Sequence, residues 1–352
     1  MRAITVLPGK DGSAELTEVG EPPSSDGPVL VEALALGVCG TDREIVGGKY
    51  GAAPPGRERL VLGHESLGRV LDAPAGAGLE RGDLVVGIVR RPDPVPCANC
   101  AVGEWDMCRN GRYTERGIKA LDGYGSQRYR LEPRYVVKLD PGLGHLGVLV
   151  EPASVLAKAW EHVDRIGRRA HWEPRRALVT GAGPIGLLAA LLAVQRGLET
   201  HVLDVVTEGP KPQLVADLGA SYHTGPPAEA CADADVVIEC TGVGSLVFDV
   251  IRCNAPGGIV CLTGISSGGR EVALDAADVN RRLVLENDVV FGSVNANRRH
   301  YEHAAAALAR ADRARRDWLE RLVTRRVPLE RWAEALERRP DDVKVTIDFT
   351  AG

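Results

Sequence analysis

The residues best suited to chemistry lie in two short motifs near the start of the chain. Cys39 stands in Gly-Val-Cys-Gly-Thr-Asp, and His64 and Glu65 stand in Gly-His-Glu. Zinc binds thiolate and imidazole well, and a catalytic zinc site keeps one position open for water or substrate. A single Cys or His more often serves packing, but both lie in glycine-flanked loops where packing alone would not require them. We therefore expect Cys39 and His64 to hold a catalytic zinc ion, with the Glu65 carboxylate beside it.

Two further residues of the first motif are expected to assist that metal. Asp42 follows Cys39 closely and is placed to orient His64 from outside the coordination shell. Thr41 is placed to pass a proton from a metal-bound alcohol toward solvent. We therefore predict Thr41, Asp42 and Glu65 as catalytic residues.

A second pattern, well downstream, is typical of dinucleotide binding. It has the form Gly-x-Gly-x-x-Gly, follows a predicted strand at 177–180 and opens an apolar helix at 187–195. Such glycines permit a tight turn, a close backbone approach to the diphosphate and close helix–sheet packing, and the helix N-terminus attracts the negative charge. The predicted cofactor residues of this turn are Gly181, Gly183, Pro184, Ile185 and Gly186.

Asp204 ends the next predicted strand and bears on the choice of cofactor. An acid at that position accepts hydrogen bonds from the ribose hydroxyls. It also repels a 2′-phosphate, and the neighbours Val205, Val206 and Thr207 supply no arginine to bind one. We therefore predict NAD as the cofactor, with NADP as the alternative.

A Lewis-acid metal and a hydride carrier in one chain predict oxidation of an alcohol or reduction of a carbonyl. The opposing interpretation is a catalytically silent zinc-binding scaffold. Such a scaffold would be expected to have lost Cys39, His64 or the glycine turn, and all three are present.

The remaining pattern predicts an α/β chain of two domains, since 352 residues exceed one ordinary core. Residues 1–155 are rich in Gly and Pro with short apolar runs, which predicts an antiparallel, partly open barrel. Residues 156–297 alternate strands with helices, as in a doubly wound parallel sheet. After 298 we expect two polar helices, including the Arg-rich stretch 310–326 as a solvated helix face, and then a strand at 342–349. That strand should complete the first domain, so that it comprises 1–155 and 298–352.

Together these motifs resemble those of the zinc-dependent medium-chain dehydrogenases/reductases, in the same order and at similar spacing over essentially the whole chain. The resemblance implies a GroES-like catalytic domain and a Rossmann nucleotide-binding domain. It also implies catalytic zinc on Cys39 and His64, with Glu65 able to approach or enter the coordination shell. Such enzymes are commonly dimers or tetramers, so a homo-oligomer is expected.

Further runs are similar to the glucose 1-dehydrogenase branch of that family: Arg90-Arg91-Pro92, Thr114 to Ile118, Glu151 to Val155 and Val294 to Tyr301. That resemblance implies a further zinc ligand at Glu151, direct or through water. It also implies contacts with sugar hydroxyls from Glu115 and Asn295, with Glu151 alongside them at the substrate. The expected reaction is oxidation of an aldose, with D-glucose favoured, at C1 to the aldonolactone. The alternative is a polyol, cyclitol or secondary-alcohol dehydrogenase on the same scaffold.

Cys97, Cys100 and Cys108 form a second possible metal site. The family's structural zinc lobe has four cysteines, and the first position falls here on Pro94. Asp93, a water or another loop residue is the candidate fourth ligand. We expect a structural zinc, with a weaker site or no metal as alternatives. The other four cysteines show no ligand spacing and are predicted to be buried.

Composition excludes other classes of function. Hydrophobic residues make up 44% and charged residues 26%, as in globular proteins, and the net charge is −5. A negative chain has no general attraction to nucleic acid or anionic membranes, so we expect a small sugar as the partner. Eight cysteines are too few for a disulfide framework in a chain of this length, which favours the cytoplasm.

Overall fold

The computed structural model describes residues 1–266 and 271–350. Its strands are Arg2–Val6 (β1), Glu15–Glu18 (β2), Val29–Val38 (β3), Leu60–Val61 (β4), Glu65–Asp72 (β5), Leu84–Gly87 (β6), Arg90–Arg91 (β7), Thr114–Arg116 (β8), Ala120–Leu121 (β9), Arg128–Leu131 (β10), Val136–Lys138 (β11), Arg176–Thr180 (β12), Glu199–Leu203 (β13), Ser221–His223 (β14), Ala234–Glu239 (β15), Asn254–Leu262 (β16), Val289–Gly292 (β17), Val323–Pro328 (β18) and Lys344–Asp348 (β19). Its α-helices are Gly40–Val46 (α1), Ala98–Ala101 (α2), Val150–Gly167 (α3), Pro184–Gln195 (α4), Pro210–Leu218 (α5), Pro227–Ala230 (α6), Gly244–Ile251 (α7), Ala276–Glu286 (α8), Arg298–Leu322 (α9) and Trp332–Leu336 (α10). None of these helices combines the length and apolar character needed to cross a membrane.

The chain divides into two compact units, and the first contains Met1–Ser154 and Asn295–Gly352. Its main sheet has the order β11-β6-β5-β3-β19-β18, with β10 also paired to β3. Every pair in this sheet is antiparallel except β18 with β19. The long strand β3, whose register shifts between Ala33 and Ala35, places apolar side chains in a core that includes Val29, Val31 and Leu36. The antiparallel part of the predicted fold class is thereby confirmed.

The second unit contains Val155–Val294 and is built on a six-stranded parallel sheet. The strand order is β14-β13-β12-β15-β16-β17. The chain adds β13 and β14 on one side of β12 and then β15, β16 and β17 on the other side, so the order of addition switches between β12 and β15. The central strands carry nearly continuous apolar runs because both faces of a parallel sheet are covered. Leu178, Val237 and Val260 lie in the resulting core. This order is that of a dinucleotide-binding doubly wound sheet, and the predicted α/β class is confirmed.

The segment after residue 298 differs in part from the prediction. The strand expected at 342–349 is present as β19 and pairs with β3, with Val345 opposite Val38. Two helices do precede β19, α9 and the short α10, but the strand β18, which was not predicted, lies between them as an edge strand. Residues 323–326 of the Arg-rich stretch are therefore strand, and Arg325 forms a mostly buried ion pair with Asp342. Parallel pairing with β19 overrides the helical pattern of this stretch.

Candidate active site

Strands β3 and β5 bring the first two motifs together. Gly37 pairs with Glu65 in the register of the two strands. A Cβ atom on Gly37 would stand 2.0 Å from Glu65 Oε2, so the glycine leaves the space that the carboxylate fills. Gly63 has a φ of +91°, and a Cβ there would meet Leu36 Cδ2 at 2.4 Å. The glycines flanking these motifs therefore have steric reasons to be glycine.

Helix α1 fixes the Cys39 side chain at its N-terminus. The backbone N–H of Thr41 donates to Cys39 Sγ at 3.3 Å, and the backbone N–H of Cys39 donates to Asp42 Oδ2 at 2.9 Å. This reciprocal arrangement is a capping box with a thiol in the position usually held by a hydroxyl. These bonds fix the position of the sulfur at the start of α1.

His64 bridges Cys39 and Asp42. Its Nε2 lies 3.0 Å from Cys39 Sγ, and its Nδ1 lies 3.4 Å from Asp42 Oδ1. Burial by itself lowers the pKa of His64, but the Cys39 thiolate and the Asp42 carboxylate raise it well above its ordinary value. The ring is thus oriented by a carboxylate on one nitrogen while the other faces a sulfur, as expected of a metal-ligating histidine.

Sequence reasoning missed Lys344, which lies beside Glu65. Its ammonium forms an ion pair with Glu65 Oε2 and donates to the backbone oxygen of Val38 at 3.1 Å. The Lys344 side chain is only 1% exposed. Alternation along β19 places Lys344 with Thr346 and Asp348, opposite the core residues Val345 and Ile347, so no local signal in the sequence indicates that this lysine is buried.

The donor set fits a single zinc ion. Cys39, His64 and Glu65 each offer one ligand atom, and all of these atoms lie within 4.8 Å of one another. Thiolate, imidazole and carboxylate are the ligand types of catalytic zinc. The space that Gly37 leaves for the carboxylate and the orientation of His64 by Asp42 both favour binding of a metal there.

Glu151, at the start of α3, lies next to this group. Burial, together with the Glu65 and Asp42 carboxylates, raises the pKa of Glu151 to about 7, although His64 and Lys344 oppose the rise. Burial makes the charged form of this carboxyl unfavourable, so the group is suited to bind a cation or to accept a hydrogen bond from a hydroxyl group.

The predicted sugar-binding residues Glu115 and Asn295 lie in contact with each other. Asn295 Nδ2 donates to Glu115 Oε1 at 2.8 Å, and Arg90 donates to the same oxygen from Nε and Nη2 at 3.0 and 2.9 Å. No hydrogen bond to Glu115 Oε2 is found in the described part of the chain. The backbone of Gly117 packs on that of Gly63, which places this turn against the loop that precedes His64. In the sequence, Arg90 was only part of a run that resembles the family. The structure shows that Arg90 holds the Glu115 carboxylate in place.

The glycine turn of the second unit has the geometry that the fingerprint predicts. Gly181 has a φ of +87°, and a Cβ on Gly186 would stand 1.7 Å from the backbone oxygen of Gly181. Apart from its chain neighbours, no described residue comes within 4 Å of a Cβ placed on Gly183, so the backbone there is open to a ligand. Pro184 and Ile185 form the first turn of α4.

Asp204 follows β13 and contacts the same turn. Its Oδ2 accepts a hydrogen bond from the backbone N–H of Ala182 at 2.6 Å and lies 3.4 Å from Lys211 Nζ. Lys211, another residue that sequence reasoning missed, places a cation where only an acid was expected.

The three clustered thiols form a second group of possible ligands. Cys97, Cys100 and Cys108 bring their sulfur atoms within 4.8 Å of one another. Backbone hydrogen bonds from Arg109 and Cys100 lower the pKa of Cys97 to about 6, whereas burial raises the pKa of Cys100 to about 11. Asp93 was a candidate fourth ligand. Its carboxylate accepts hydrogen bonds from Val95 and Arg112, and it does not belong to the group that the three sulfur atoms form.

Of the remaining cysteines, which were predicted to be buried, two are buried and two are half-buried. Cys231 and Cys261 belong to the first pair, and Cys240 and Cys253 to the second. None of the four belongs to a group of metal-ligand donors among the described residues.

Comparison with known proteins gives two family matches. Residues 25–141 match the alcohol dehydrogenase GroES-like domain, and residues 144–349 match the glucose dehydrogenase C-terminus. Curated relatives include glucose 1-dehydrogenase of Methanocella arvoryzae, 39% identical over 100% of both chains. Glucose 1-dehydrogenase of Thermoproteus tenax is 40% identical over 99% of both chains. Haloferax mediterranei glucose dehydrogenase, solved in complex with NADP, Zn and gluconolactone, superposes with a TM-score of 0.91 at 32% identity over 100% of both chains.

Proposed function

Because the chain belongs to the zinc-dependent medium-chain dehydrogenases, in the glucose 1-dehydrogenase branch, we propose that it oxidises an aldose at C1 to the aldonolactone. D-Glucose is the favoured substrate and a nicotinamide dinucleotide the hydride acceptor, as the names of its relatives indicate. The observation that carries the proposal is the group formed by Cys39, His64 and Glu65. An interaction protein would have no need of such an oriented donor set.

In this proposal the chain's own residues prepare the metal site and the proton path. Cys39 and His64 would hold a zinc ion, with Glu65 and Glu151 as further carboxylate ligands. The zinc would supply Lewis-acid chemistry, which brings the pKa of a substrate hydroxyl toward neutrality. Asp42 keeps the His64 ring in place, and the Thr41 hydroxyl relays the proton that leaves the substrate, releasing its own proton toward solvent as it accepts the substrate's.

Sugar recognition is assigned to Glu115 and Asn295. Arg90 and Asn295 both donate to Glu115 Oε1, which leaves Oε2 to accept a bond from a sugar hydroxyl. Such contacts discriminate strongly, because a substrate that lacks the hydroxyl leaves a buried carboxylate unpaired. Glu115 is 6% exposed, so that penalty would be felt in full.

Cofactor binding is assigned to residues 156–297, and the metal and substrate to 1–155 with 298–352, except that Asn295 at the boundary contacts the sugar site through Glu115. The open backbone at Gly183 and the N-terminus of α4 receive the diphosphate. Asp204 favours NAD, but Lys211 beside it offsets part of the repulsion of a 2′-phosphate. We therefore expect NAD to be preferred and NADP to be used as well.

A substrate and cofactor panel on the zinc-loaded protein tests the proposal. We expect reduction of NAD with D-glucose, slower reduction of NADP, and gluconolactone as the product seen by NMR. Glu115→Gln should lower kcat/KM for glucose about 100-fold and leave the KM for NAD unchanged. Glu132→Gln, an exposed acid of the same unit, is the matched control. Oxidation of mannitol or cyclohexanol without any aldose would replace this function by the polyol or secondary-alcohol alternative.

A homo-oligomer in the cytoplasm completes the proposal. Among the residues that the structure describes, strand β17 ends the parallel sheet with one unpaired edge, and Val284 and Leu285 on α8 are 65% and 72% exposed. Unpaired edges and exposed apolar side chains are features that subunit contacts cover. All eight cysteines are free, as expected in a reducing compartment. Light scattering should give the mass of a dimer or tetramer, and Leu285→Glu should lower it; a monomeric parent protein would contradict the assignment.

A further inference from the structure

A buried carboxylate that the proposed reaction does not use lies at the end of β15. Glu239 has no exposed surface. Its Oε1 accepts bonds from the Thr180 hydroxyl at 3.2 Å and from the Thr241 backbone N–H at 2.7 Å, as well as from the Thr241 hydroxyl. The backbone N–H of Gly242 donates to both oxygens, at 3.1 and 3.2 Å. A buried acid with this many donors requires an explanation beyond packing.

The donors identify Glu239 as a carboxylate whose charge is not neutralised. No Lys, Arg or His within 4 Å pairs with it in the part of the chain that the structure describes. The described donors are all neutral, so no cation offsets the carboxylate inside the second unit.

The same residue holds the loops that follow two strands. Its backbone oxygen accepts bonds from the N–H groups of Thr263 and Gly264, which follow β16. The hydroxyl of Ser266 in turn donates to the backbone oxygen of Gly242 at 2.7 Å. A Cβ on Gly264 would lie 2.7 Å from Glu239 Oε2, so the loop after β16 passes directly over the carboxylate. Glu239 thus fixes the ends of β15 and β16 together.

These loops lie at the part of the sheet where the second nucleotide half binds. In a doubly wound sheet the dinucleotide lies across the carboxyl ends of the strands, with the diphosphate at the first glycine turn. Asp204 follows β13 on the adenosine side of that turn. The nicotinamide half therefore lies over the ends of β15 and β16. Thr241 contacts the turn itself, since its Cγ2 would lie 3.0 Å from a Cβ on Gly181.

We infer that Glu239 is a positioning residue for the nicotinamide half, and that its buried charge makes this crevice favour the oxidised ring over the reduced one. The oxidised ring carries a positive charge and the reduced ring does not, so only the oxidised form is attracted by the carboxylate. This inference rests on the proposed function and deepens it, because it attributes the preference for the oxidised over the reduced cofactor to one side chain.

Equilibrium binding separates this role from a purely structural one. Dissociation constants for NAD and NADH are measured by calorimetry on the full zinc-loaded chain, without turnover. Glu239→Gln should weaken NAD about three- to tenfold more than NADH, as expected for loss of one charge at moderate effective dielectric. Glu239→Asp, which keeps the charge, should restore the parent ratio of the two constants even where both are weaker.

A matched control and a second variant keep the test decisive. Thr241→Val removes one neutral donor and keeps the charge, so it should weaken both forms equally. Should Glu239→Gln fail to fold, Thr241→Lys at a half-buried position brings a cation to the carboxylate and must lower the same preference. Equal weakening of NAD and NADH by Glu239→Gln overturns the inference. Failure of the parent protein to bind either nucleotide would overturn the proposed function instead.

Discussion

The two groups of possible metal ligands differ in how far the protein itself orders them. At the Cys39 group, the thiol caps α1, Asp42 holds His64, and Lys344 pairs with Glu65. The Cys97 group lies on short helical turns, and its neighbours Val95 and Val102 are 63% and 76% exposed. The first group is therefore organised by buried hydrogen bonds and charges before any metal arrives. The second has little apolar core of its own, so its order depends on the bound ion.

This difference implies that the two sites have different roles, one catalytic and one structural. A mixed set of sulfur, nitrogen and oxygen donors can leave a coordination position for substrate, whereas a set of thiolates alone is typical of closed structural zinc. Damage to the first group should stop catalysis, and damage to the second should weaken folding.

The largest effect is expected from removing the first group. The double variant Cys39→Ser, His64→Ala should lower kcat/KM about 1,000-fold or more, because the Lewis acid contributes several kcal/mol to the transition state. Zinc content measured by plasma mass spectrometry should fall by one ion per chain. Cys253→Ser, a half-buried thiol of the second unit, is the control and should retain the parent rate. Parent-level turnover by the double variant would remove the basis of the comparison.

Lys344→Met sharpens the comparison through stability. Removing one partner of a buried ion pair leaves Glu65 uncompensated, so the free energy of unfolding of the metal-free protein should fall by about 3–5 kcal/mol. Zinc bound by Glu65 replaces the lost cation, so the loss should be clearly smaller in the zinc-loaded protein. Urea titration with and without zinc measures both values.

The control for that variant is Lys138→Met, whose ion-pair partner is Asp83. The Lys138 side chain is 47% exposed, and an exposed pair contributes about 1 kcal/mol or less. An equal loss for Lys344→Met with and without zinc would show that Glu65 does not bind the metal.

Asp42→Asn tests whether order imposed by the protein matters at the first group. The amide keeps the shape of the carboxylate but loses the charge that orients the His64 ring. Groups that orient metal ligands typically contribute about 10- to 100-fold in metal affinity or activity. We expect a loss of that size in both, measured by zinc titration and initial rates. The exposed Asp72→Asn is the control, and unchanged zinc affinity in Asp42→Asn would contradict the role given to Asp42.

The parts of these sites that the sequence predicts are the local ones. Cys39 and Asp42 share one helix turn, and Gly181 and Gly186 flank the turn that leads into α4, so backbone geometry alone brings each pair together. The strand pattern at 342–349 likewise predicts β19, because alternation of apolar residues is a local signal.

Long-range partners could not be derived in the same way. Lys344 meets Glu65 only because β19 and β5 both pair with β3, and Arg90 meets Glu115 through the pairing of β7 with β8. Strand β18 looks helical from its arginines and becomes a strand through its pairing with β19. The order of residues along the chain does not determine any of these strand registers by itself. Buried charges such as Glu239 were missed for the same reason.

The smallest effect is expected from Cys100→Ser in the second group, and it completes the comparison. Cys100 is the buried member of the three thiols, so its loss should release the ion that orders this segment. The free energy of unfolding should fall by about 1–3 kcal/mol, while kcat stays within about twofold of the parent, because the substrate meets the other metal. Zinc content should fall from two ions per chain to one, in contrast to the double variant, which keeps the structural ion and loses the rate. Loss of a structural metal alone leaves the catalytic donors in place. If kcat falls together with the zinc content in Cys100→Ser, the two groups of ligands are therefore not separable.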